Sequence, residues 1–354
     1  MMTRRIIRIL LSVLALLAAA AGLVLLSGSP APIAGLSGDG RTLLRVWLMH
    51  APGGAAKWLD AQISAYERQH SGTAVYLRQV SPAELHAAEA VQPDIVLYMP
   101  GDVQQPEVFF APLISDAPLF SGLWACGQRQ GQQLAMPLCW GAWVLALDSA
   151  YDDQPAATPA PTTLLGHSAA SPEPTAAGFP RAKANAADCP LLSSGGCALY
   201  ALREIFAEEE FPRWTADFAQ LQADVVYQRF RARQCASAML TTGQVTAFSD
   251  FVRAGKGFPF RVMTARTVVT DQVLLGSLSA QAQSGAAEFL AFLTSRAAQE
   301  QLARQGLFSA REDLSLYPTG WAAAIEAAAR RAIDAPDAFQ TAEALWQKAW
   351  QDFR

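Results

Sequence analysis

The sequence predicts an α/β protein of two lobes behind an apolar N-terminal segment. Residues 42–101 run strand, helix, strand, helix, strand with short connections, the pattern of parallel βαβ units. The chain has 354 residues, beyond the ~250–300 at which a single core stops growing. Between the halves stands the apolar run Leu134-Ala135-Met136-Pro137-Leu138-Cys139-Trp140-Gly141-Ala142-Trp143-Val144-Leu145-Ala146-Leu147-Asp148-Ser149. Trp140 and Trp143, three apart, cannot share one face of a straight strand, so a bend is expected at Gly141, where a glycine admits close approach. This stretch is read as a crossing between lobes beside a pocket; a buried strand with both rings in the core is the competing reading.

Arg4, Arg5 and Arg8 precede residues 9–26, which carry no charge, and the next charged residue is Asp39. That length sits at the lower edge of a membrane span and exceeds the ~7–15 residues of a secretory apolar region. Either way the cationic flank stays inside and the rest is exported. Leu26-Ser27-Gly28-Ser29 has three positions of a lipoprotein cleavage box, with Ser29 where the lipid-bearing Cys would stand, and Pro30 disfavours cleavage after Ser29. Residues 1–28 are therefore expected to be an uncleaved anchor, with secretion after cleavage as the alternative. Residues 29–41, rich in Gly, Pro, Ser and Ala, form a tether.

The folded part then proceeds in order. A strand is expected over 43–49, a turn at Pro52-Gly53-Gly54, and a helix over 55–69 with Trp58, Leu59, Ile63 and Tyr66 on one face. A strand over 73–80 follows. Ser81-Pro82-Ala83-Glu84 has a capping-box pattern with Pro at the first helical position. A third strand covers 95–99 and closes at Pro100-Gly101. Ligands of such units collect at the carboxyl ends of the strands, here Met49, His50, Ala51, Met99, Pro100 and Gly101. Residues 151–196 hold prolines at 155, 159, 161, 172, 174, 180 and 190 and are expected to be a surface insertion. Helices are expected over 198–210, 214–222 and 227–234, extended chain over 236–241 and 244–248, and a loop at Ser249-Asp250-Phe251. Strands are expected over 260–264 and 267–275, and a helical hairpin or kinked helix over 284–305 ending at Gly306. Helices over 321–333 and 339–353 finish the chain, with Leu345, Trp346 and Trp350 as core.

Several function classes are excluded or disfavoured. A net charge of −4 gives no reason to expect nucleic acid. His50, His70, His86 and His167 are scattered, and no Cys/His set has metal-ligand spacing. Pro52-Gly53-Gly54 lacks the spaced glycines of a dinucleotide turn, and no Ser or Thr follows Lys256 in Gly255-Lys256-Gly257, so no Walker motif stands there. Neither Gly-x-Ser-x-Gly nor Ser-x-x-Lys is present. No cofactor and no catalysis are expected. Cys189 and Cys197 flank a short loop and could pair in an oxidising compartment; with Cys126, Cys139 and Cys235 the count is five, so at least one thiol is left over.

From about residue 42 to the end, the order of features resembles the extracellular solute-binding proteins of ABC importers, the family that includes the maltose-binding type. The resemblance rests on Leu43 to Trp58 with its helix, on Gln92-Pro93-Asp94-Ile95-Val96, and on Ala135-Met136-Pro137 followed by Val144 to Asp148. It continues through Phe230 to Met239 and, most specifically, Ala286 to Phe308. Arg233-Gln234 stands where the family has Gly-Lys. The resemblance implies a type II two-lobed fold with a central hinge. Lobe 1 would comprise 42–147 plus 268–312, and lobe 2 would comprise 148–267 plus 313–354. It implies a monomer that captures a small solute, most plausibly a carbohydrate, outside the membrane and hands it to a separate permease and ATPase. Sugar sites stack aromatic rings on the apolar face of a pyranose while polar groups take its hydroxyls. The candidate rings are Tyr98, Trp140, Trp143, Phe251 and Trp321, with His50, Asp250 and Asp271 as polar partners. The rival readings are an extracytoplasmic glycosidase using Asp250 and Asp271 as its two carboxylates, and a sensor on the same scaffold.

Overall fold

The computed structural model describes residues 40–86, 92–151, 192–193, 198, 201–202, 205, 219–265 and 270–333. The expected anchor over 9–26, the Cys189/Cys197 pairing, most of the helices expected over 198–222 and the final helix over 339–353 lie outside the described residues. Two sheets organise what is described. The first contains β1 (Thr42–Leu48), β2 (Thr73–Gln79), β3 (Ile95–Tyr98), β6 (Met136–Trp140), β12 (Val273–Leu278) and β13 (Phe308–Ser309), in the order β13-β6-β12-β3-β1-β2. Strands β1, β2 and β3 pair in parallel, as the βαβ pattern predicts, while β12 runs antiparallel to both β3 and β6. The second contains β7 (Trp143–Asp148), β8 (Leu192–Ser193), β9 (Ala219–Gln220), β10 (Ser237–Thr241) and β11 (Phe260–Met263), in the order β11-β7-β10-β8-β9. A two-stranded ribbon, β4 (Gln128–Arg129) with β5 (Gln132–Gln133), stands beside the first sheet's entry into β6.

Period-two alternation splits the first sheet into two faces. Leu44, Val46, Leu48, Ile95 and Leu97 pack with Trp58, Leu59, Tyr66, Phe289 and Leu293. These last residues belong to α1 (Ala55–Gln69) and α7 (Ala286–Leu293). The buried set of α1, Trp58, Leu59, Ile63 and Tyr66, recurs at helical spacing, and the Trp58 indole N–H donates to the Ala298 carbonyl at 2.9 Å. On the other face Trp47, Val96 and Tyr98 join a cluster that continues through Trp140 and Phe308. It runs on into Val144, Ala146, Ala238, Leu240, Phe230 and Phe248 of the second lobe. The hydrophobic core is thus continuous beneath the junction.

Short helices α2 (Pro82–His86), α3 (Pro106–Phe109) and α4 (Ser121–Ala125) decorate the first lobe. The Ser81 backbone and hydroxyl both donate to Glu84 and hold its carboxyl below the usual range. In the second lobe α5 (Ala223–Arg231) precedes β10, and α6 (Thr242–Arg253) follows it without a loop. The extended chain expected over 244–248 and the loop expected at 249–251 are therefore corrected: both lie inside α6. Val245 and Phe248, three apart, share its buried face, and Thr241 with Gln244 closes a capping box that starts the helix. The expected strand over 267–275 begins only at Val273 among the described residues and runs to Leu278. Residues 284–305 form three pieces, α7, α8 (Arg296–Gln299) and a 3₁₀ turn Glu300–Gln305, closed by Gly306 in the left-handed region. Within the Pro-rich stretch, Leu192–Ser193 adds a strand beside β10. The chain is last described in α9 (Gly320–Ile333), whose Ala322, Ile325, Ala328 and Ala329 are buried in the continuous core.

Candidate functional site

The chain leaves the first sheet at Trp140 and enters the second at Trp143, with only Gly141 and Ala142 between. It returns from β11 to β12 through Thr270, Asp271 and Gln272. The two crossings are bonded to each other. The Gly141 amide donates to the Gln272 carbonyl at 2.7 Å and the Thr270 hydroxyl donates to the Gly141 carbonyl at 2.6 Å. The Trp143 indole N–H donates to Asp271 Oδ1 at 2.8 Å, and the Gln272 side-chain amide donates to the same oxygen at 2.8 Å. Asp271 Oδ1 thus fixes both crossings, while its Oδ2 has no hydrogen-bond partner among the described residues.

The N-terminus of α6 sits on this junction. Thr242 donates its amide to the Ala142 carbonyl at 2.9 Å and accepts from the Ala142 amide at 3.3 Å through its hydroxyl. A Cβ on Gly141 would stand 3.2 Å from that hydroxyl, which gives the glycine its physical reason. From the other lobe, the turn after β1 presses against the same helix start: a Cβ on Gly243 would overlap the Gly53 carbonyl oxygen. The lobes therefore meet backbone to backbone at Gly53 and Gly243.

On the rim of the first lobe, His50 follows β1 and is 62% exposed. Its Nδ1 lies 2.7 Å from Asp102 Oδ1, and Asp102 Oδ2 accepts the Met99 amide at 2.8 Å. One carboxylate thereby ties together the carboxyl ends of β1 and β3.

The sequence-derived candidates separate into three groups. Trp143 and Asp271 are brought into direct contact at the crossings, and His50 stands on the rim. Trp140 and Tyr98 are core. The Trp140 ring is wholly buried, lies flat on Phe308 with centroids 4.4 Å apart, and donates its indole N–H to the Ser309 carbonyl. The Tyr98 hydroxyl bonds to Ser277 Oγ at 3.0 Å, and burial pushes its phenol up to about 12. The remaining three stand apart from the junction. Asp250 is exposed on α6 in an ion pair with Arg253, eight residues and so about 12 Å along the helix axis from Thr242. Phe251 beside it is half-buried under the Arg231 guanidinium, 4.2 Å from the ring centroid. Trp321 is half-buried at the start of α9 against the continuous core.

Sequence reasoning missed Asp102, Gln272, Thr241 and Gln244. The last two carried a readable signal, since Thr-x-x-Gln before an apolar residue is a capping box; Asp102 and Gln272 carried none. A groove of about 490 Å³ lined by Leu113, Ile114, Leu290, Thr294 and Arg311 lies on the α7 side of the first lobe rather than at the crossings.

No family model matches the sequence, and no curated protein matches it. Solved structures match its fold. The maltose/maltodextrin-binding domain MalE from Bdellovibrio bacteriovorus, bound to maltotriose, aligns at a TM-score of 0.56 and 12% identity, over 88% of this chain and 100% of that one. The GacH receptor of Streptomyces glaucescens GLA.O, solved unliganded and with acarbose, aligns at 0.54 and 12% identity, over 87% and 97%. Iron-bound HitA from Pseudomonas aeruginosa aligns at 0.53 and 13% identity, over 88% and 98%. The chain has the two-lobed fold of these binding proteins.

Proposed function

We propose that the protein is the binding component of an importer: it captures a small carbohydrate between its lobes outside the membrane and delivers it to a separate permease. The observation that supports this reading is the pair of crossings joined by Trp143 and Asp271, because a carboxylate oxygen with spare acceptor capacity, backed by the buried Trp143 ring, stands where the two lobes meet. Sites of this kind need few polar groups, well placed, at a concave junction. Since the fold also serves an iron-bound protein, the ligand class rests on the residues. His50, Asp271, Gln272 and Thr241 supply neutral or acceptor groups suited to hydroxyls, and the proteins solved with maltotriose and acarbose share the fold. Binding rather than catalysis is favoured by the separation of Asp250 from the junction.

We take the first lobe boundary at 141–142 and the return at 270–272, a division supported by the pairing of Trp143–Asp148 with β10 and β11. Residues 9–26 would tether the protein, and recovery of intact Met1 from the membrane fraction by mass spectrometry tests that point. The function itself is tested by thermal shift of the full chain in detergent against a panel of maltodextrins, acarbose, amino acids and metal ions. A rise in Tm with a carbohydrate supports the reading; a rise only with a non-carbohydrate contradicts it.

A further inference from the structure

The deepest polar commitment on the rim of the first lobe is not His50 but the carboxylate behind it. Asp102 is 15% exposed against 62% for His50, and both of its oxygens are used, Oδ2 on the Met99 amide and Oδ1 on the imidazole. Met99 directly follows β3, and Met49, just before His50, donates its amide to the Leu97 carbonyl at 2.8 Å. The two strand ends therefore set the carboxylate and the ring at a fixed separation. An ionised carboxylate only accepts, so the proton of a neutral ring must sit on Nδ1 and Nε2 is left as an acceptor. Nε2 has no partner among the described residues. Its residue precedes the turn whose Gly53 meets α6 of the other lobe.

We infer that Asp102 is a positioning residue for ligand recognition: it holds His50 in the Nδ1–H form, so that Nε2 accepts a hydrogen bond from a donor hydroxyl of the bound carbohydrate. This rests on the carbohydrate reading above. Asp102→Asn is the direct test, because its side-chain oxygen can still accept from Met99 while its amide would donate to Nδ1, drive the ring proton to Nε2 and reverse the polarity offered to the ligand. Imidazole ¹⁵N NMR of the full chain in detergent reads the tautomer, and calorimetric titration with maltotriose and acarbose reads affinity. The expected results are Nδ1–H in the wild type, Nε2–H in Asp102→Asn, and roughly tenfold weaker binding in both Asp102→Asn and His50→Ala. The double variant should be no weaker than His50→Ala alone, since a residue acting through His50 has nothing left to act on. A wild-type ring protonated on Nε2, unchanged affinity in Asp102→Asn, or additive losses in the double variant would overturn the inference while leaving carbohydrate binding intact. Failure of the wild type to bind either sugar would instead overturn the carbohydrate reading and the acceptor role with it, the NMR still reporting the tautomer.

Discussion

The Trp140 ring is held on one side by Phe308 and at its N–H by Ser309, with no surface left for a ligand. Trp140→Ala should therefore create a cavity and cost ~3–5 kcal/mol of folding free energy, while the affinity of the folded fraction stays within twofold of wild type. Chemical denaturation and ligand titration of the one variant read both quantities. Trp143, three residues on, differs in having a carboxylate partner at the junction. The sequence offered both rings as candidates and could not separate them, because both are buried and they are the same residue type with the same neighbours in the chain. What separates them is a partner 128 residues away for Trp143 and one 169 residues away for Trp140, and such distances leave no local trace. Asp102 was illegible for the same reason, its role being fixed by His50 across a separation of 52 residues.

At the scale of elements, the end of α5 explains a departure from the family pattern. Gln234 donates its amide to the Arg229 carbonyl and Arg233 to that of Phe230, the paired bonds of a Schellman stop. Arg233 takes the left-handed backbone at φ 58° that a glycine would occupy without strain. Its guanidinium pairs with Asp148, wholly buried at the end of β7, at 2.6 Å and 3.2 Å. Arg233→Gly would relieve backbone strain of ~1–3 kcal/mol but leave a buried carboxylate without its cation, at ~3–5 kcal/mol. The second effect wins, so urea denaturation should find the variant less stable by about 2 kcal/mol. Stability equal to or above wild type would refute this balance. The start of α6 makes the matching point between lobes. Gly243→Ala cannot be accommodated against the Gly53 carbonyl without moving one lobe, so it should enlarge the radius of gyration in solution scattering and weaken ligand binding. An unchanged profile with wild-type affinity would remove this contact from the hinge. The sequence misread this element because the five residues 244–248 are too short for periodicity to tell helix from strand; the twelve-residue window with its cap would have done so.

Across the whole molecule, the parts legible in the sequence were those governed by local pattern. The βαβ order, the break between strands at Gly141, the turn at Gly54 that opens α1 and the stop at Gly306 follow from spacing and from the small size or backbone freedom of glycine. The antiparallel insertion of β12 between β3 and β6, and the placing of Trp143–Asp148 in the second sheet, depend on pairings of distant segments and were not legible. The junction of the two sheets was legible only as a region, through the crossing, and not as a set of side chains. The central claim is that Asp271 and Trp143 floor a carbohydrate site between two hinged lobes. It is tested most directly by calorimetric titration of the full chain and of Asp271→Ala with the maltodextrin series and acarbose. The account predicts one ligand per chain for the wild type and at least tenfold weaker binding for Asp271→Ala, a loss of about 1.4 kcal/mol or more. Absence of binding to every sugar, or binding that Asp271→Ala leaves untouched in a folded protein, would contradict it.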